Sequence, residues 1–256
     1  MSEIDNRFNK TKKINIKHSK ILLLLDNKRN VELLSRFLDT KYDCYAKFDQ
    51  NINFDLILVD SFNYLSNFKL IKDFKKKQTP IFLPVILLHQ REDTVDYTSK
   101  KMNIADEFIL TPVKKDVLKI RIKRLLELRK LTKENYNLDN KYKTIFNNIS
   151  EMTLVYKINF KNKEFHSFID VNKKVIEITG YKKEELMQMS LPDLLNYERN
   201  APFFNYYFNG LDGDNKVLVE SQLITKDKKI INIEIKSKIF KLNEENLVLS
   251  EIRNIT

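Results

Sequence analysis

The chain has 256 residues, 42% of them hydrophobic and 32% charged, with 3 Gly, 5 Pro, 1 Cys, no Trp and a formal net charge of +11; the length suits about two domains, and the composition excludes a disordered tail. Cys44 alone excludes a disulfide framework, and with no CxxC pair and with His18, His89 and His166 far apart, no zinc cluster is predicted. The longest unbroken apolar run, Ile21 to Leu25, is far shorter than the roughly 20 residues of a membrane span, and the first twenty residues lack a signal-peptide core, so the expectation is a cytoplasmic protein with no membrane contact.

The positive charge is local. Residues 1–20 carry +4 and residues 111–145 carry +7, while residues 21–110 and 146–256 are each balanced. Two neutral blocks with a basic tail (1–19) and a basic connector argue for two globular domains joined by a charged helix whose Lys and Arg lie on a solvated face, and they disfavour a nucleic-acid groove.

In block one, ILLLLD (21–26), CYAKF (44–48), DLILVD (55–60), PVILLH (84–89) and DEFIL (106–110) read as strands, with Val31, Leu34 and Leu38 at helical spacing between the first two. Continuous Ile/Leu/Val runs without alternation suit strands buried on both faces, so strands and helices are expected to alternate in an α/β doubly wound, five-stranded parallel sheet. Such sheets bind ligands at the carboxyl ends of their strands, where Asp26 and Asp60 would both stand.

The connector, 113–150, is helical in pattern. Leu128, Leu131, Asn135, Leu138, Tyr142, Ile145 and Ile149 follow one another in steps of three and four, a heptad seam with one polar position that would suit a parallel homodimer in which Asn135 fixes register. The alternative is that Asn135, Asn137, Asp139 and Asn140 break the helix.

Block two begins with FHSFIDVNKKVIEITGYKKEEL, a strand, a helix start and a Gly180-Tyr181 turn into a further helix; LPDLL and PFFNYYFNG suggest short helices. Residues 216–225, 230–240 and 247–253 read as three consecutive antiparallel strands, with Ile231, Ile233, Ile235 and Ile239 on one face. The expectation is an α+β domain with one sheet face covered.

Block one, from about Lys20 to Leu131, resembles the receiver domain of two-component response regulators, most specifically in ADEFILTPVKKDVLKIRIKRLLELRKL. The resemblance implies a receiver (flavodoxin-like) fold and a five-residue site: Leu25 stands in place of the first acid, Asp26 matches the second, and Asp60 matches the phosphoacceptor. His89 replaces the hydroxyl residue, and Thr111, before Pro112, replaces the lysine. Asp26 and Asp60 are hard oxygen ligands suited to Mg²⁺, but Thr111 supplies no charge to a phosphoryl oxygen. The reading is a degenerate receiver.

Block two, from about Tyr142 to Thr256, resembles a PAS domain in FIDVNKKVIEITGYKKEEL and in the terminal VLSEIRNIT. The resemblance implies an α+β sensor domain with an antiparallel sheet, with 132–141 as the helical linker before it. It names no ligand: the block has no cysteine for flavin attachment, and His166 falls on a strand. Phe168, Ile176, Tyr206 and Tyr207 are candidate pocket residues, an ordinary filled core being the favoured alternative.

The expected function is signal transduction of two-component type, a degenerate receiver coupled through a helix to a PAS sensor, acting as a homodimer with a histidine kinase or other phosphorelay partner and without catalysis. A second reading makes the chain the sensory part of a sensor histidine kinase or diguanylate cyclase, against which no phosphoacceptor-His helix, ATP-lid segment or GGDEF-like motif occurs in these residues. A third, a nucleic-acid-binding regulator using the basic linker, lacks a recognisable helix-turn-helix.

Overall fold

The computed structural model describes residues 18–90, 102–243 and 245–256, so most of the basic tail lies outside the described residues. The chain divides into two compact units, Met1–Leu138 and Asp139–Thr256.

The first unit holds β1 (Ser19–Leu24), α1 (Lys28–Leu38), β2 (Tyr42–Tyr45), β3 (Leu56–Asp60), α2 (Ser61–Ser66), α3 (Phe68–Gln78), β4 (Val85–His89), β5 (Glu107–Leu110) and the start of α4 (Lys115–Asn147). All strand pairs are parallel in the order β2-β1-β3-β4-β5, so the strand sequence reverses direction at β1/β3. Alternate residues of each strand feed two separate cores. Leu22, Ile57, Val59, Val85 and Leu87 pack with Tyr64, Ile71 and Phe74 of α2 and α3, whereas Ile21, Leu23, Leu56, Leu58, Ile86 and Leu88 pack with Leu38 of α1 and with Leu118 and Ile122 of α4.

Among the described residues, alternation of strand and helix fails between β2 and β3. Residues 46–55, between β2 and β3, contain no helix; Asp49 instead accepts the Asn51 N–H at 2.9 Å, the local side-chain bond by which Asp and Asn compete with helix formation.

The possible break at Asn135–Asn140 does not occur. α4 is one helix of 33 residues, about 50 Å long at 1.5 Å per residue, and ion pairs one turn apart, Lys130–Glu134 and Asp139–Lys143, support its middle.

The second unit continues with β6 (Met152–Asn159), β7 (Glu164–Val171), α5 (Lys173–Thr179), α6 (Lys183–Leu186), α7 (Leu191–Leu194), α8 (Tyr197–Asp214), β8 (Lys216–Ile224), β9 (Ile230–Leu242) and β10 (Glu245–Asn254). Its antiparallel sheet has the order β7-β6-β10-β9-β8. The main core lies between the sheet and α5–α8. The opposite face is not bare, contrary to the expectation of one covered face: Phe146 and Ile149, at the end of α4 and just beyond it, pack on Val155, Phe240, Leu247 and Leu249.

Local signals fix the entry to α5. Asn172, wholly buried, accepts the N–H of Val175 as the helix cap and that of Thr153 at 3.1 Å, and its amide donates to the Glu151 carbonyl at 2.8 Å. Gly180 ends the helix at φ 74°, the left-handed conformation that glycine adopts without steric cost.

Candidate functional site

The carboxyl rim of the parallel sheet gathers the sequence-derived receiver positions. Asp60 ends β3 and caps α2: its Oδ1 accepts the Asn63 N–H at 2.8 Å and the Asn63 side-chain amide at 3.0 Å. Its Oδ2 accepts the Asp26 backbone N–H at 2.6 Å. The Asp26 side chain is exposed just past β1. Leu25, where the resemblance places the missing acid, packs at the edge of the α1/α4 core.

His89 closes β4, with Nδ1 3.4 Å from the Gln90 carbonyl oxygen. Thr111 donates to the His89 carbonyl from both its backbone N–H, at 2.8 Å, and its hydroxyl, at 3.1 Å. That threonine therefore stitches two strand ends together. Among the described residues no group of three or more His, Cys, Asp or Glu is placed to hold a metal ion. Of the oxygens suited to Mg²⁺, Asp60 Oδ1 already accepts two donors and Oδ2 one, while the Asp26 carboxylate is exposed. Two carboxylates, one already hydrogen-bonded at both oxygens, fit a divalent cation less well than a carboxylate-crowded site does. On β2, Cys44 is far from a reactive thiol: burial, then Asp39 and Asp43 nearby, push it up to about 12.

On the opposite, amino-terminal rim, Arg129 of α4 is buried and fully engaged. Its Nε donates to Asp55 Oδ1 at 2.9 Å, Nη1 to the Phe82 carbonyl at 2.8 Å, and Nη2 to the Phe54 carbonyl at 2.9 Å and to Gln78 Oε1 at 2.6 Å. Thr132 adds a contact by accepting the Phe82 N–H at 3.1 Å.

Beyond Arg129 the seam residues face outward. Leu131, Leu138 and Ile145 are 57%, 65% and 59% exposed, and Leu128, Asn135 and Tyr142 are also exposed. Tyr142 in addition stacks on Phe146 and donates to Asp170 Oδ2 at 3.0 Å.

In the second unit the four pocket candidates separate. Phe168 and Tyr207 are buried and Ile176 packs at the core edge, but Tyr206 is 63% exposed and points away from the core. Consecutive helix residues point about 100° apart, and the inward face of α8 is set by Phe203, Phe204, Tyr207 and Leu211. An open cleft of about 500 Å³ is lined by Phe160, Leu211, Asp212, Asn215, Ile239, Phe240, Lys241 and Asn246, none of the four candidates. His166 is exposed on β7.

At the centre of the main core four hydroxyls meet. Tyr207 of α8 donates to Ser237 of β9 at 2.6 Å and meets the hydroxyl of Tyr156 of β6; Tyr156 lies 2.7 Å from Ser250 of β10, and Ser237 lies 2.6 Å from Ser250. All four residues are at most 1% exposed. Burial raises both phenol pKa values, Tyr156 well above the ordinary range, so the group stays neutral and shares its protons internally. Sequence reading missed this quartet. The signal for it was Ser237, a serine in the inward slot of the Ile231, Ile233, Ile235, Ile239 alternation.

A family model described as a PAS domain matches residues 150–256. The chain is similar to the methyl sulfide methyltransferase-associated sensor of Methanosarcina acetivorans, 24% identical over 118 residues, which covers 46% of this chain and 11% of that protein; this chain thus spans about a tenth of the length of that relative. Among solved structures it is similar to the PAS domain of an HTR-like protein from Haloarcula marismortui (18% identity, 50% of this chain and 99% of that one, TM-score 0.42). It is also similar to the PAS domain of a protein from Colwellia psychrerythraea (18% identity, 46% and 98%, TM-score 0.41). Residues 150–256 of this chain are a PAS domain.

Proposed function

We propose that this chain is a cytoplasmic signal-transduction protein in which a degenerate receiver-like unit is coupled through α4 to the PAS domain, with output through a homodimer and not through catalysis. The observation that carries the reading is the helix: it runs unbroken into the PAS domain while its Leu128–Ile145 seam stands exposed at heptad spacing. A like helix of a second copy matches that spacing, and Asn135 at one seam position would set register.

The strand order 2-1-3-4-5 of the first unit is that of the flavodoxin-like class, which supports the receiver reading; the engaged oxygens of Asp60 and the missing lysine support a degenerate one. On this reading Mg²⁺, if it binds, is held by Asp26 and Asp60 Oδ2, and a histidine kinase or other phosphorelay protein is a docking partner, not a phosphoryl donor. Five of the ten basic side chains of α4 pair with acids of the same chain, in Lys123–Glu127, Lys130–Glu134, Lys143–Asp139, Arg121–Glu107 and Arg129–Asp55, which supports a solvated face over a nucleic-acid contact. In the described residues no helix is long and apolar enough to cross a membrane.

Light scattering tests the homodimer. Leu131→Asp and Leu138→Asp each place a charge in the seam and are expected to lower the mass of the parent dimer to that of a monomer. A parent that is already monomeric, or variants with unchanged mass, would remove the helix as the interface.

A further inference from the structure

No helix follows β2, and the face it would cover is only partly closed. The connection 46–55 lies on the same face of the parallel sheet as α3, with the Phe48 ring edge-on to Phe74 at 5.1 Å and Phe54 in contact with both rings. Between the connection and α3 runs an open cleft of about 500 Å³ whose apolar lining is Phe48, Leu70 and Phe74. Lys69, Asp73 and Lys77, each one turn from the next along α3, line it too. The charge of α3 is one-sided, five lysines against one aspartate. Lys75 donates to Asp106 Oδ1 at 2.7 Å, whereas Lys69, Lys72, Lys76 and Lys77 are exposed and form no ion pair among the described residues. Cations in the last turn suit the helix dipole, which accounts for Lys75, Lys76 and Lys77. Lys69 stands in the first turn, where the dipole opposes a cation, so helix stability does not account for it.

We propose that this cleft docks an acidic amphipathic helix of another protein, with its large apolar side chains on Phe48, Leu70 and Phe74 and its carboxylates beside Lys69 and Lys77. Helix-in-groove docking takes an apolar floor that receives side chains one turn apart, and a charged rim that fixes orientation and selects the partner. Here the sign of the rim decides the occupant. The first twenty residues of this chain carry +4 and a second copy carries +11, so both are repelled where an acidic segment is attracted. Asp73 lowers the charge of the rim, and Lys72 and Lys76 on the same helix restore it. The inference goes beyond the α4 homodimer and does not depend on it, because the cleft lies wholly within the first unit.

The test titrates the isotope-labelled full chain with a blocked peptide of about fourteen residues, rich in glutamate and with two leucines one helical turn apart, and follows the backbone amide shifts. Shifts are expected at 48–50 and 66–77, and are expected to vanish when the leucines of the peptide become alanine or its glutamates become lysine. Lys69→Glu combined with Lys77→Glu, both at exposed positions, is expected to weaken binding of the acidic peptide about tenfold and to leave the melting temperature unchanged. Should the double variant melt lower, the peptide series decides by itself, since it leaves the chain unaltered. No shift at millimolar peptide, or equal shifts with the alanine peptide, would overturn the proposal, and so would shifts confined to α4. A DNA duplex or an anionic vesicle that moves the same amides as strongly would also overturn it, by showing a charged surface that makes no use of the apolar floor.

Discussion

A carboxylate that caps a helix and a carboxylate that attacks phosphorus need different surroundings: the first is saturated with N–H donors, the second keeps an oxygen free beside a metal ion. Asp60 has three donors, two from Asn63 and one from the Asp26 backbone. The two from Asn63 belong to the start of α2 at Ser61, and the third ties the end of β3 to the chain just past β1. Two variants separate the roles. Asp60→Ala is expected to cost about 1 kcal/mol of stability and Asp60→Asn only a few tenths, because asparagine is an equally good cap. Intact mass after incubation with Mg²⁺ and a small acyl phosphate is expected to show no phosphoryl gain in the parent, with a standard receiver as positive control. A gain that disappears in both variants would make Asp60 a working phosphoacceptor.

At the scale of elements, a buried arginine attaches α4 to the sheet's amino-terminal rim. A guanidinium buried this deeply is held by four bonds to Asp55, Gln78 and two carbonyls, and deleting it removes all four and leaves the Asp55 charge with only the Lys20 N–H. Arg129→Ala is therefore expected to destabilise the unit by about 3 kcal/mol, in the range for breaking a buried pair by removing one member. Arg129→Lys should fall between, since an ammonium keeps the charge but not the planar fork. Denaturant unfolding measures both, and an Ala variant within about 0.5 kcal/mol of the parent would reduce the contact to a surface ion pair. This tie was not legible in the sequence, where Arg129 and Asp55 are 74 residues apart and the arginine sits in a basic run that reads as solvated. What was legible was either local or periodic. The Ile/Leu/Val runs located the parallel strands because both faces are buried, and Asn172 and Gly180 marked the ends of α5 because each answers a need of the backbone at its own position. The hydroxyl quartet was only half legible: Ser237 interrupts the inward Ile231, Ile233, Ile235, Ile239 alternation, but its partners Tyr156 and Tyr207 lie far off in sequence, and the helix-free connection 46–55 has no periodic signature.

On the scale of the whole molecule, two units with separate cores are linked by one helix that serves both. Arg129 and Thr132 tie it to the first unit, and Tyr142 and Phe146 belong to the second, through Asp170 and through Val155 and Leu247. Between these anchors, residues 133–141 are exposed on every face, so nothing in either core depends on them. A proline there removes one backbone donor and clashes with the carbonyl one turn earlier, at a cost of about 3 kcal/mol to the helix. Asn137→Pro is accordingly expected to leave the unfolding of each sheet close to that of the parent while interrupting the seam between Leu131 and Leu138. If the copies associate along α4, the mass by light scattering falls to that of a monomer with both cores intact. If the mass stays that of a dimer, the copies are held by the surface of one unit, and the exposed leucines of α4 await a different helix.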